Sequence, residues 1–150
     1  MITIVRTSAK NKDFIALVKK LDTYLKVVDG NDHSFYNQYN GIENIKYTVV
    51  AYENGIPVGC GAIKQFDEQT MEVKRMFTSE TSRGKGIASK ILQELELWTA
   101  ELNYKKCILE TGLRQTDAVH FYKKNNYQQI DNYGQYIGIE NSICFEKNIN

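Results

Sequence analysis

The sequence predicts a mixed α/β (α+β) sandwich, one sheet with helices packed on it. Three observations carry that prediction. Short β-branched and aromatic runs recur along the chain, and between them lie longer stretches with apolar residues at helical spacing. A glycine-rich turn, Arg83-Gly84-Lys85-Gly86-Ile87-Ala88, joins one such apolar run to one such helical stretch. At 150 residues and 42% hydrophobic content, the chain suffices for one domain whose core needs no disulfide or metal.

The elements follow in order. Ile2 to Arg6 reads as a strand. From Asn11 to about Tyr24, with Leu25 just beyond, Phe14, Leu17, Val18 and Leu21 recur at helical spacing, and Asp29-Gly30-Asn31-Asp32 breaks the helix. Phe35, Tyr36 and Tyr39 sit in a short second helix capped by Asp32 or Ser34. Tyr47 to Tyr52 is strand-like, Asn54-Gly55 signals a type I′ hairpin turn, and Pro57 to Gln65 pairs back. Asp67-Glu68-Gln69 turns into Met71 to Thr78, completing a meander of three strands. Ile87, Ala88, Ile91, Leu92, Leu95, Trp98 and Leu102 mark one face of a long helix, a stripe that reads as core. Lys106 to Thr111 is a strand, and about Thr116 to Lys124 is a helix carrying Ala118, Phe121 and Tyr122. Tyr127 to Ile130 and Ser142 to Glu146 are the closing strands. No repeat, low-complexity tract or interdomain linker interrupts the series, so residues 1–150 are expected to form a single domain.

Composition removes several functions. A net charge of +1 argues against a dedicated nucleic-acid surface. No apolar run approaches a membrane span, and Met-Ile-Thr-Ile-Val-Arg at the start lacks the regions of a signal peptide; the expected location is the cytoplasm. Cys60, Cys107 and Cys144 lie apart in apolar runs without a Cys-x-x-Cys pair, which points to buried reduced thiols rather than zinc or a redox dithiol. His33 and His120 are too few for a histidine-rich metal site.

The turn carries the chemistry. N–H groups in the first turn of a helix have no partner inside the helix and sit at the positive end of its dipole. Glycines let the backbone curl and let an anion approach without meeting a Cβ, so a pyrophosphate suits such a place. The run is not Gly-x-x-x-x-Gly-Lys-Ser/Thr, which disfavours a P-loop NTPase. It is not Gly-x-Gly-x-x-Gly, because Ser89 occupies the third position. What remains is Arg-x-x-Gly-x-Ala at Arg83, Gly86 and Ala88.

That pattern resembles the pyrophosphate-binding signature of the GNAT superfamily of N-acetyltransferases. Glu72-Val73-Lys74-Arg75-Met76-Phe77 before the turn is similar to the family's central motif. Ala118 to Tyr127 is similar to its last helix, and Leu109-Glu110-Thr111-Gly112 to its fifth strand. The element order β-α-α-β-β-β-α-β-α-β-β is also the family's. The proline common before the turn is replaced by Ser79-Glu80, Gln115 stands where Asn is frequent, and Asn126 where Gly is frequent. Asn tolerates the left-handed conformation second only to Gly.

The resemblance implies a GNAT fold: a mixed, mostly antiparallel sheet of seven strands flanked by four helices, with a splay between the fourth and fifth strands. It implies acetyl-CoA as cosubstrate and no metal. Backbone groups around Gly84, Gly86, Ile87 and Ala88 would hold the pyrophosphate, with charge from Arg83 and Lys85. Met76, Phe77 and Thr78 would line the pantetheine arm, and Gln115 and Tyr122 would complete the cofactor contacts. Tyr122 would protonate the departing thiolate, Glu72 would be the base with Glu110 its rival, and the N–H of Met76 or Phe77 would face the thioester oxygen. The acceptor, a primary amine of a small molecule, would lie between Asp29 to Tyr39 and Tyr133-Gly134-Gln135-Tyr136, with Asp29 or Asp32 attracting its cation. Two other readings stand beside this one: a non-catalytic acyl-CoA sensor or partner module, and a protein-lysine or N-terminal acetyltransferase. Relatives are often homodimers, but no segment fixes an interface.

Overall fold

A computed structural model of the chain describes residues 1–29 and 45–149. In chain order these form β1 (Ile2–Thr7), α1 (Lys12–Asp29), β2 (Tyr47–Glu53), β3 (Ile56–Asp67), β4 (Thr70–Thr78), α2 (Ile87–Glu101), β5 (Lys106–Gly112), α3 (Thr116–Lys124), β6 (Gln128–Ile130) and β7 (Ser142–Asn148). The strands make one seven-stranded sheet in the order β1-β2-β3-β4-β5-β7-β6. Every neighbouring pair is antiparallel except β4 and β5, which are parallel. The expected short helix at Phe35 to Tyr39 lies outside the described residues.

Local chemistry explains the boundaries. Asn11 accepts the Phe14 N–H on its Oδ1 at 3.0 Å and so starts α1. No breaker stands between Tyr24 and Asp29, and α1 runs on to Asp29. Asn54 (φ 51°) and Gly55 (φ 85°) both take the left-handed region that a type I′ turn demands. Asn126 does the same after α3, at φ 73°. That turn puts Tyr127 just ahead of β6 rather than in it, with its hydroxyl donating to Glu96 at 2.9 Å.

Two apolar layers enclose the sheet. Phe14, Leu17 and Val18 of α1 pack on Val50, Cys60 and Ala62. Ile87, Ile91, Leu92 and Leu95 of α2 pack on the opposite face with Val49, Met71, Leu109 and Phe145. Full burial of such an aliphatic side chain stabilises by roughly 1.5–3 kcal/mol. Gly61 lets α2 approach: a Cβ there would lie 2.6 Å from Met76 Sδ and 2.9 Å from Ile91 and Leu95. The three cysteines are free and buried, as expected. Burial pushes Cys60 up to about 12 and Cys107 and Cys144 up to about 11. No helix among the described residues is long and apolar enough to cross a membrane.

The sheet is continuous except at its centre. β4 and β5 pair at Thr70–Lys106, Met71–Cys107 and Glu72–Ile108, and there the pairing stops although both strands continue. Beyond that point β4 carries a bulge. Its register against β3 jumps from Ala62–Lys74 to Cys60–Phe77, so Arg75 and Met76 together face Gly61. Arg75 sits at φ 58°. A bulge bends its strand and increases the local twist, and here it coincides with the expected splay between the fourth and fifth strands.

Candidate active site

The glycine-rich turn follows the end of β4, past the point where β4 and β5 part. After β4, the Ser79 N–H donates to the Val58 carbonyl at 2.7 Å, and a short 3-10 turn over Glu80–Ser82 leads to Arg83. Gly84 (φ 81°) and Gly86 (φ 76°) are both left-handed, and a Cβ at either would meet nothing within 4 Å. Glycine is needed there for backbone conformation, and the space before α2 is open. Gly86 is the N-cap of α2 and makes no side-chain cap; the Lys90 N–H is bonded back to its carbonyl at 3.1 Å. The N–H groups of Ile87, Ala88 and Ser89 therefore have no acceptor within the helix. An uncapped helix start with open space before it fits a pyrophosphate.

Both basic residues of the turn are engaged. Arg83 Nε donates to the Thr78 carbonyl at 3.2 Å, with the guanidinium 5.7 Å from the Tyr24 ring centroid. Lys85 Nζ pairs with Glu53 at 2.9 Å, and this pairing holds the Glu53 carboxyl below its usual range. Glu53 escaped the sequence reading because a glutamate beside a hairpin turn carries no signal of its own.

The widening gap between β4 and β5 holds a cavity of about 120 Å³. Glu72 to Met76 form one wall and Glu110 to Gly112 another; Gln115, Ala118, Tyr122, Tyr136, Leu21 and Leu25 complete it. Phe77 and Thr78 pair with Cys60 and Gly59 on their β3 side, while no pairing with β5 extends that far. That edge suits an extended arm that hydrogen-bonds like a strand. Gln115 immediately precedes α3, its N–H bonded to the Gly112 carbonyl at 3.0 Å.

Tyr122 is 7% exposed and packs against Phe121, Tyr127 and Phe145, with ring centroids 5.1–6.2 Å away. It is both a packed tyrosine and a cavity wall. Burial, reinforced by the Glu110 carboxylate, pushes its hydroxyl well above the ordinary range. The hydroxyl is therefore protonated at neutral pH.

Glu72 is buried, and its Oε2 accepts the Tyr133 hydroxyl at 2.6 Å. Its Oε1 faces Lys74 Nζ at 3.6 Å. Tyr133 stands in the loop between β6 and β7, edge-on to Phe66 at 5.2 Å and to Tyr136 at 5.7 Å. Asn132 Nδ2 ties that loop together through the carbonyls of Tyr136, Ile139 and Ser142 at 3.1–3.2 Å. Of the expected acceptor residues, Tyr136 reaches the cavity and Tyr133 instead holds Glu72. Asp29 ends α1, and the stretch from Gly30 to Tyr39, Asp32 included, lies outside the described residues. Lys74, Arg75 and Asp22 were not anticipated. The Arg75 side chain is 2% exposed and pairs with Asp22 of α1.

The splayed edge of β4, the uncapped start of α2 and a cavity lined in part by Tyr122 are the features that any bound ligand would meet. Comparison with known proteins supplies the family. Residues 44–129 match the acetyltransferase (GNAT) domain profile. The chain is 31% identical over 149 residues, 97% of each protein, to "IAA acetyltransferase" of Azospirillum brasilense. A candidate acyl-CoA N-acyltransferase from Klebsiella pneumoniae superposes with a TM-score of 0.84 at 27% identity, covering 100% of this chain and 99% of its own. A GNAT acetyltransferase from Elizabethkingia anophelis, solved with acetyl-CoA bound, shares the fold at a TM-score of 0.72 and 21% identity, covering 98% and 97%. The chain belongs to the GNAT acetyltransferase family and is an acyl-CoA-dependent N-acetyltransferase.

Proposed function

We propose that the protein transfers an acetyl group from acetyl-CoA to a primary amine of a small molecule, by direct attack of the neutral amine on the thioester. The observation that carries this reading is the 120 Å³ cavity at the splay between β4 and β5. Acetyl-CoA, when bound, supplies an activated acyl group. The backbone at Gly84, Gly86, Ile87 and Ala88 holds its pyrophosphate, with Arg83 and Lys85 nearby. The open edge at Met76, Phe77 and Thr78 aligns its arm, and Gln115 borders it. The Tyr122 hydroxyl protonates the departing sulfur, and a carboxylate, Glu72 or Glu110, takes the proton of the amine. A relative named "IAA acetyltransferase", matched over 97% of both chains, supports a small acceptor over a protein segment.

We take residues 1–150 as one domain, in keeping with a relative matched over 97% of both chains. Three reduced thiols suit a cytoplasmic setting. The decisive experiment follows CoA release from acetyl-CoA across a panel of small primary amines, with IAA, named for the Azospirillum relative, as a further candidate. Release with a small amine is expected. Release only with lysine-containing peptides would move the reading to a protein acetyltransferase, and tight binding without any turnover would move it to an acyl-CoA sensor.

A further inference from the structure

The bulge in β4 changes which way one side chain points. Side chains alternate across a strand. Val73 packs in the cluster beneath α2, and Lys74 stands opposite Ala62, whose side chain packs with α1. Regular alternation would send the next residue, Arg75, to the α2 face. Instead, with Arg75 and Met76 both opposite Gly61 and Arg75 at φ 58°, the Arg75 side chain turns to α1 and pairs with Asp22. Met76 takes the α2 face in its place. Bulges beside active sites re-aim side chains in this way. Lys74 and Arg75, neighbours in sequence, thus share one face.

The arrangement works against folding on three counts. A left-handed backbone is unfavourable for any residue with a Cβ. A buried guanidinium loses its hydration. The third count is incomplete pairing. Asp22, whose side chain is 43% exposed, engages Nη2, and the buried Nε has no hydrogen-bond partner. Buried donors are almost always matched, and strained residues gather at ligand sites. The Arg75 backbone, by contrast, is held: its carbonyl accepts from Cys60 Sγ at 3.4 Å.

The residue also stands where an acceptor would enter. Arg75 lines the cavity at the splay, which joins the two faces of the sheet. Met76, Ala118 and Tyr122 belong to the cluster on the α2 face, while Leu21 and Leu25 come from α1. With Tyr122 serving the sulfur from the α2 face, the acceptor is left the α1 face, where Arg75 is. The other charged residues of the wall are Glu72, Lys74 and Glu110, and Lys74 faces Glu72 at 3.6 Å.

We propose that Arg75 binds a carboxylate on the acceptor, so that the small amine acetylated here also carries an acid group, as an amino acid does. This rests on the acetyltransferase reading given above. The Nε–H is the donor that Asp22 leaves over, and a guanidinium meets a carboxylate through planar, charge-assisted bonds. Asp22 holds the guanidinium at the cavity before the acceptor arrives. Arg75 is then a specificity residue: it selects the acceptor and takes no part in proton transfer.

The test uses the full chain and two pairs of amines, glycine with glycinamide and β-alanine with β-alaninamide, compared at equal concentrations of neutral amine. Within at least one pair, wild type should show a kcat/KM about tenfold or more higher for the carboxylate member, the value of one hydrogen bond to a charged group. Arg75→Gln should bring that ratio to about one by raising KM for the carboxylate member, because binding common to ground and transition states is lost. The variant should still bind acetyl-CoA by calorimetry. Asp22→Asn should lower the denaturation midpoint and keep the carboxylate preference. If Arg75→Gln does not fold, the wild-type ratios and Asp22→Asn still decide.

A wild-type ratio at or below one in both pairs overturns the proposal. So does a preference that survives in folded Arg75→Gln, or one that vanishes in Asp22→Asn; in either case the ion pair only fastens α1 to the sheet. CoA release with ethanolamine but with neither amino acid overturns the carboxylate site and leaves the acetyltransferase standing. Wild type that binds no acetyl-CoA overturns the acetyltransferase site itself, and the proposal with it.

Discussion

Along its β3 edge, β4 keeps partners from Thr70 to Thr78, whereas along its β5 edge pairing ends at Glu72. The residues are the same; what differs is the neighbour. β3 offers Gly59 and Gly61, whose missing Cβ atoms let α2 press onto that side of the sheet. β5 diverges where the bulge bends β4 away. One edge of the strand therefore holds the core together, and the other leaves backbone groups and a small cavity for chemistry. Substitutions on the two edges should accordingly separate stability from binding and turnover.

The largest separation is expected from Gly86→Glu. A non-glycine residue at φ 76° is strained, by about 1–2 kcal/mol, and the new carboxylate would face an anion site. Calorimetry should show acetyl-CoA affinity down about 100-fold or more, with the far-UV spectrum unchanged. Tyr122→Phe comes next. Single-turnover kinetics should show the chemical step slowed about 100-fold or more at unchanged acetyl-CoA affinity, because only a proton donor is lost. On the closed edge, Gly61→Ala should do the reverse. Its Cβ would lie 2.6 Å from Met76 Sδ, and overpacking of this kind destabilises by about 1–3 kcal/mol, read as a lower denaturation midpoint.

A smaller effect is expected at Lys85. Its pairing with Glu53 is exposed to solvent, so Lys85→Ala should weaken acetyl-CoA binding by only a few fold, and the loss should shrink as salt rises. The smallest concerns pH. Burial holds Cys60 at about 12 and Cys107 and Cys144 at about 11, above the ordinary thiol value of 9.0. The folded chain then binds more protons than the unfolded chain above pH 9, so this contribution is complete below that pH and is lost as pH rises toward 11–12. Denaturant midpoints should fall from pH 9 to 10.5 and hold between pH 7 and 8.5. A midpoint that rises above pH 9 would contradict the burial of these thiols.

How much was readable beforehand follows the same division. The hairpin at Asn54-Gly55, the apolar stripe of α2 and the glycine-rich turn depend on residues close in sequence, and each stands where its local chemistry put it. The splay was legible only through family resemblance. The bulge that accompanies it, a left-handed arginine opposite Gly61 with its side chain tied to Asp22, joins three separate elements and leaves no pattern within any one of them. The Glu72–Tyr133 contact spans 61 positions and is a product of tertiary packing. The same holds for Glu53 and Lys85, 32 positions apart. Helix α1 runs past Tyr24 because Lys26 to Val28 contain no breaker, and it ends at Asp29, where the break was expected.

The contrast between the two edges meets its most direct test in hydrogen exchange, resolved by residue, with and without saturating acetyl-CoA. Amides of Arg75 to Thr78 should gain protection when acetyl-CoA is added, together with those of Ile87 and Ala88 at the start of α2. Amides of β2 and the β1 edge should not change. Protection confined to other surfaces, with the β4 edge exchanging as before, would contradict the assignment of that edge to the cofactor.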